Sequence, residues 1–203
     1  MKYYIVTGEP SGDMHAANLV RELKISDNNA IIRAWGGERL IAEGVELARN
    51  IRNTAFMGLW NILKNFRAIQ SNLDFCKKDI LNFKTDILIL VDYPGFNLKI
   101  AKFAKSSNIQ VFYYISPKVW AWKKSRAKLI RKYVDELIVI LPFEVDYFKK
   151  EDIKANYFGN PLSDEIKKET EELSLDNTKS IISILPGSRK QEIKRNLPTM
   201  LNV

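Results

Sequence analysis

The chain has 203 residues, enough for one full domain or one domain and part of another. Hydrophobic residues make up 46% and charged residues 28%, the balance of a folded globular chain, which argues against disorder, collagen and coiled coil. The net charge is +8, and the lone cysteine, Cys76, excludes an intramolecular disulfide and fits a reducing compartment.

In chain order, Tyr3–Val6 (YYIV) predicts a short buried strand and Asp13–Lys24 a helix. Ile31–Trp35 reads as a second strand, ended by Gly36 and Gly37. An amphipathic stretch follows from about Gly58 to Phe83, then the strongly apolar strand Ile87–Val91 (ILILV). A helix is expected over Phe96–Ser106, a strand over Val111–Ile115 and a helix over Lys123–Tyr133. Leu137–Leu141 gives another strand, followed by a helix through Lys149 and a short strand at Tyr157–Phe158. This alternation predicts an α/β fold: a Rossmann-like, mostly parallel sheet with helices on both faces.

Ser163–Lys179 is polar and reads as a linker or surface helix. Ile181–Leu185 (IISIL) predicts a new strand, with a turn and a helical pattern to Val203. One such unit cannot bury both faces of its own strand. The expected organisation is therefore a domain over 1–162, a linker over 163–179 and the start of a second domain over 180–203, the front part of a longer protein. No stretch reaches the roughly 18 apolar residues of a membrane span, and the first apolar run is too short for a signal peptide. Membrane contact is expected only from the surface.

In a parallel α/β sheet ligands bind beyond the carboxyl ends of the strands, and the polar motifs fall there. Neither GxxxxGK[ST] nor GxGxxG occurs. Ser11, Gly12 and Asp13 stand at a helix start, where free N–H groups hold a phosphate or sugar oxygen, or where Ser11 or Asp13 simply caps the helix. Glu9 has no capping reason to be there and is the better ligand contact. Asp92 follows five apolar residues. Partial desolvation there raises a carboxylate pKa, which suits a general base; the alternative is a helix cap or a lysine partner. Asn97, Ser116, Lys118, Trp120 and Asn160 complete the expected substrate-binding rim. Ser188 and Arg189 open a helix after Pro186 and Gly187, as in a diphosphate site; the alternative is a capped helix with a surface Arg. His15 reads as helix surface or site wall, and Cys76 as helix packing. As the only His and Cys, they leave a zinc site nearly excluded.

Charge is unevenly spread. Lys99–Lys132 holds ten basic residues and no acidic ones, whereas Asp135–Asp176 holds twelve acidic and five basic. A basic block of this kind suits a polyanionic partner: nucleic acid, anionic lipid or a phosphorylated substrate; the alternative for residues 123–132 is a solvated helix face. The segment Met57–Phe66 carries Leu59, Ile62, Leu63 and Phe66 at helical spacing, widened by Met57 and Trp60. It reads either as core packing or as an interfacial helix or acyl-chain groove.

GEPSGD, the Trp-Gly-Gly segment, Met57-Gly58, DYPGFN, YYISPKVWAWKKSRAKLI, LPFE, GNPL and LPGSRKQEI occur in this order. Together they resemble the lipid-A-disaccharide synthase family over nearly the whole chain. The resemblance implies two facing Rossmann domains of the GT-B type, of which this chain holds the first and the beginning of the second. It implies an inverting glycosyl transfer from UDP-2,3-diacylglucosamine to 2,3-diacylglucosamine 1-phosphate, with no metal or redox cofactor. Asp92 would be the base, and Arg189 would stabilise the leaving UDP. Met57, Leu59, Trp60, Leu63 and Phe66 would meet acyl chains, and Lys118, Lys123, Lys124 and Arg126 lipid phosphates. The implied setting is the cytoplasmic face of the inner membrane, peripherally bound, with no nucleic-acid partner and with room for an oligomer. Pro10 departs from the small residue usual in the first motif. The ISPKVWAW and LPGSRKQE segments argue against related GT-B proteins such as UDP-N-acetylglucosamine 2-epimerase. A nucleic-acid binder using Phe112–Lys132, or a non-enzymatic membrane-surface domain, is the competing class.

Overall fold

A computed structural model describes residues 1–53, 66–121, 124–168, 180–188 and 190–202. Its strands are β1 (Lys2–Val6), β2 (Ile31–Gly36), β3 (Glu46–Asn50), β4 (Ile87–Val91), β5 (Gln110–Tyr114), β6 (Glu136–Val139) and β7 (Ala155–Tyr157). They form one sheet in the order β3-β2-β1-β4-β5-β6-β7, and every neighbouring pair is parallel. This is the doubly wound arrangement, in which the strand order reverses between β1 and β4. The intervening helices are α1 (Pro10–Ser26), α2 (Glu38–Ala42), α3 (Phe66–Asn82), α4 (Pro94–Ser106), α5 (Ser125–Tyr133), α6 (Phe143–Lys150) and α7 (Leu162–Lys168).

Alternate side chains of the central strands feed two separate cores. Tyr4, Val6, Leu88 and Leu90 pack on one face with Cys76, Ile80, Ile100, Ala104, Ile130 and Phe148 from α3 to α6. Tyr3, Ile5, Ile87, Ile89 and Val91 pack on the other with Ala16, Ala17 and Val20 of α1 and Leu40 of α2. A strand covered on both faces reads as a continuous apolar run, which is why β1 and β4 are plain in the sequence. Cys76 lies fully inside the first core, and burial pushes its thiol pKa up, so it serves as a small hydrophobe.

Several elements differ from the sequence expectation. Helix α4 starts at Pro94 rather than Phe96, because proline has no N–H to lose at the first helical position. Strand β3 and helix α2 were not expected: ELARN is polar and lies at the sheet edge, and α2 has five residues. Helix α3 occupies the second part of the long amphipathic stretch. The first part, with Met57, Leu59, Trp60 and Leu63, and the side chain of Phe66 lie outside the described residues.

The chain divides into two compact units, Met1–Ile166 and Lys167–Val203. Helix α7 closes the first unit within the stretch read as linker or surface helix. The second unit contains α8 (Lys190–Leu201). The strand expected over Ile181–Leu185 is not formed: residues 180–187 carry no ladder pairing. Apolar sequence alone does not make a strand without a hydrogen-bonding neighbour, and Ile182 and Leu185 stay exposed.

Candidate active site

The loops after β1 and β4 flank the point where strand order reverses, and they meet closely. A side chain on Gly8 would place its Cβ 2.2 Å from Cγ of Tyr93, so only glycine lets that ring lie across the β1 end. Tyr93 in turn stacks on Phe96, with ring centroids 5.5 Å apart. Asp92 and Tyr93 are both left-handed, with φ of 45° and 48°. Two successive non-glycine residues in this region cost on the order of 1–3 kcal/mol each, and such strain concentrates at functional sites.

Asp92 stands on the rim, open to solvent on one side. Its pKa is raised, first by the desolvation that its protein neighbours impose and then by the negative charge of Glu9; a backbone N–H from Tyr93 and the cations Lys118 and Arg126 oppose the rise. Loops from three adjacent strands therefore converge electrically on one carboxylate. Glu9 occupies the N-cap position of α1 without a side-chain capping bond.

The other rim residues divide into those facing outward and those turned inward. Ser11 is exposed in the first turn of α1, and Gly12 is buried there against Thr7 and Val91. Ser11 borders a cavity of about 510 Å³ with Gly8, Met14, Gly37, Arg39 and Arg52. Asp13 also borders this cavity, but both its oxygens are engaged: they accept N–H bonds from Gly37 at 2.6 Å and Arg39 at 2.9 Å. It caps α2, not α1. A Cβ on Gly37 would come within 2.7 Å of its Oδ2, and one on Gly36 within 2.3 Å of Cδ1 of Leu40, which accounts for the double glycine. Ser116 is buried and its hydroxyl donates to the Pro117 carbonyl at 3.1 Å. Asn97 is fully buried, with its amide aimed at main-chain carbonyls. Oδ1 of Asn160 accepts the Leu162 N–H at 3.0 Å, a turn that starts α7. Lys118 is exposed beside Asp92. In the second unit, the Ser188 N–H donates to Glu192 at 3.2 Å. Arg189 and Lys123 lie outside the described residues.

Trp120 leads to Glu144, which the sequence places in a loop after a strand without giving it a role of its own. Its indole N–H donates to Oε1 of Glu144 at 3.1 Å, and Oε2 accepts the Leu141 N–H at 3.1 Å. Glu144 is 1% exposed, so these two donors depend on it. Its place in LPFE, at the start of an expected helix, was the available signal. Glu144→Ala should remove the acceptor of both half-buried donors and cost about 1–3 kcal/mol, with Glu144→Gln, which keeps one acceptor oxygen, falling between it and the parent. Calorimetric melting of the two variants checks this.

His15 is half-buried on α1, and burial lowers its pKa. Near it, Asn18 donates to Glu165 of α7 at 2.8 Å. That contact fastens α7 to α1.

The sequence profile of the family described as lipid-A-disaccharide synthetase matches residues 3–203. The chain belongs to that family. Similar curated proteins include the lipid-A-disaccharide synthases of Trichlorobacter lovleyi, 38% identical, and Coxiella burnetii strain Dugway, 39% identical, each matched over 97% of this chain. Lipid-A-disaccharide synthase 1 of Legionella pneumophila strain Paris is 39% identical over 98% of the chain. The match covers 53–54% of these relatives, so the chain spans about half their length. Among solved structures, an S. aureus MnaA–UDP co-structure aligns with a TM-score of 0.63 at 12% identity, over 87% of this chain and 50% of that one. The UDP-GlcNAc 2-epimerase of Neisseria meningitidis bound to UDP-GlcNAc aligns with a TM-score of 0.59 at 15% identity, over 84% and 51%. At these identities the likeness is one of fold. No helix among the described residues is long and apolar enough to cross a membrane.

Proposed function

We propose that this member of the lipid-A-disaccharide synthetase family forms the acceptor-binding side of an inverting GT-B glycosyltransferase. The donor is UDP-2,3-diacylglucosamine, and the acceptor is 2,3-diacylglucosamine 1-phosphate. The products are the disaccharide 1-phosphate of lipid A synthesis and UDP. The observation that carries this reading is the family match across residues 3–203.

Asp92 is the base. Its carboxylate takes the proton of the attacking acceptor hydroxyl while that oxygen bonds to the anomeric carbon and the bond to UDP breaks. A raised pKa brings the base closer to the proton it must accept. Glu9, Ser11 and Lys118 orient the acceptor around it. Ser188 and Arg189 hold the diphosphate, and Arg189 offsets the charge that builds on leaving UDP. Residues 1–162 form the acceptor domain, with 180–203 opening the donor domain. Met57, Leu59, Trp60, Leu63 and Phe66 meet the acyl chains at the cytoplasmic face of the inner membrane, and Lys118, Lys123, Lys124 and Arg126 meet lipid phosphates.

The test is a product assay. The chain continued to the length of its relatives, given both substrates, should release equimolar disaccharide 1-phosphate and UDP, with inverted anomeric configuration. The 203-residue chain alone should bind the acceptor yet make only traces of product, since transfer needs the donor held in near-attack geometry. No disaccharide from the longer chain, or retained configuration, overturns the reading.

A further inference from the structure

The main chain at Asp92 is held by two side chains that touch no solvent. Nδ2 of Asn97 donates to the Asp92 carbonyl at 2.7 Å, with longer contacts to the Val91 carbonyl at 3.3 Å and the Val6 carbonyl at 3.4 Å. The Tyr113 hydroxyl donates to the same Asp92 carbonyl at 2.6 Å. Asn97 and Tyr113 are both 0% exposed. Two donors from different elements, α4 and β5, thus converge on one carbonyl at the end of β4. The orientation of the Asn97 amide is chemically determined: turned over, it would set its oxygen against three carbonyl oxygens. As it stands, its Oδ1 is buried without a hydrogen-bond partner.

That carbonyl belongs to the residue whose φ is 45°, followed by Tyr93 at 48°. Pro94 bars Tyr93 from the ordinary right-handed helical conformation. Main-chain bonds brace the turn, from the Asp92 N–H to the Tyr114 carbonyl at 3.4 Å and from the Asn97 N–H to the Tyr93 carbonyl at 3.0 Å, and the two side chains add the hold on the Asp92 carbonyl; loosening it would let φ at 92–93 relax and turn the Asp92 side chain.

We infer that Asn97 and Tyr113 are positioning residues: together they clamp the Asp92 carbonyl and hold the Asp92 carboxylate at its place on the rim between Glu9, Lys118 and Arg126. The Asn97 side chain therefore acts on the substrate only through Asp92. The inference rests on the proposed role of Asp92 for its kinetic consequence, but the clamp itself is testable without it.

Tyr113→Phe removes one hydroxyl and keeps the ring in the core; Asn97→Ser shortens the second arm and keeps a donor. In each folded variant of the chain, the Asp92 carboxyl is titrated by carbon NMR. The clamp predicts a shift toward the ordinary carboxylate value, because the carboxyl leaves the shell that Glu9 and its other neighbours provide. In the chain continued to family length, kcat should fall about tenfold or more with KM within about twofold, as expected when a reacting group is misplaced by a fraction of an ångström to an ångström. A purely structural role would lower the melting midpoint and leave the titration and the kcat of the folded enzyme untouched. Unchanged titration in folded Tyr113→Phe and Asn97→Ser overturns the clamp. A shifted titration with normal turnover in both variants and in Asp92→Asn would keep the clamp and remove Asp92 as base.

Discussion

Asp92→Asn in the family-length enzyme should lower turnover by roughly 10²–10⁴-fold, the usual contribution of a general base, while the fold and acceptor binding persist. The wild-type pH profile should carry an acidic limb: kcat/KM rises with pH as Asp92 loses its proton, and the limb lies above the ordinary aspartate range because the pKa is raised. The same shift has a sign for stability. A carboxyl whose folded pKa exceeds its unfolded value favours the folded state most at low pH, below the unfolded pKa, and that advantage is lost as pH rises through the folded pKa. At neutral pH the ionised Asp92 is therefore a mild burden on the fold, and Asp92→Asn should melt no lower than the parent. Steady-state kinetics across pH and a melting curve at pH 7 check both halves. Near-normal turnover in Asp92→Asn would remove the assignment.

Asp13→Ala should have the opposite character, with a large loss of stability. Its two oxygens serve the N–H groups of Gly37 and Arg39, and Asp13 and Gly37 are buried. Deleting the acceptor of two main-chain donors, one of them buried, should cost about 3 kcal/mol. For a chain of this size that is a fall of roughly 6–12 °C in Tm. Helix α2 has five residues and cannot hold itself without such a cap. Asp13→Asn retains one oxygen acceptor and should fall between. If Asp13 instead served mainly to bind substrate, Asp13→Ala would keep its Tm and raise KM, so calorimetry separates the two roles.

Asp13 also shows where sequence reasoning stops. GEPSGD placed it correctly at a helix start, but its partners lie more than twenty residues further on, at a helix too short to leave a periodic pattern. The strands were legible for the reason that makes them stable: ILILV is buried on both faces, so every position is apolar. ELARN was illegible because an edge strand is paired through its backbone, which residue types do not record. IISIL misled in the other direction, since apolarity signals burial in a sheet only where a neighbouring strand exists. Within the rim, Asp92 stood out because a charge after five apolar residues is unusual. Tyr113 did not, because a tyrosine inside a strand looks like core and its hydroxyl target is a main-chain atom. Asn97 stands out for its polarity, and its amide turns to main-chain carbonyls inside the fold. A buried amide and a ligand-binding amide look identical until the carbonyls around them are placed.

The strand order bears on how the chain is made. Strand β1 pairs on one edge with β2 and on the other with β4, Tyr3 against Ile87 and Val6 against Leu90. As the polypeptide leaves the ribosome, β1, β2 and β3 are available long before β4. At about 5–20 residues per second, one edge of the most apolar early strand waits for seconds without a partner. Such an edge is a template for pairing with other chains. Parallel pairings this distant in sequence also close slowly. The last pairing to complete the centre of the sheet is the one that brings Gly8 and Glu9 beside Asp92 and Tyr93. The nascent protein is therefore most vulnerable to aggregation along the edge of β1 that β4 later covers, and a chaperone that shields it would protect the centre of the sheet before it closes.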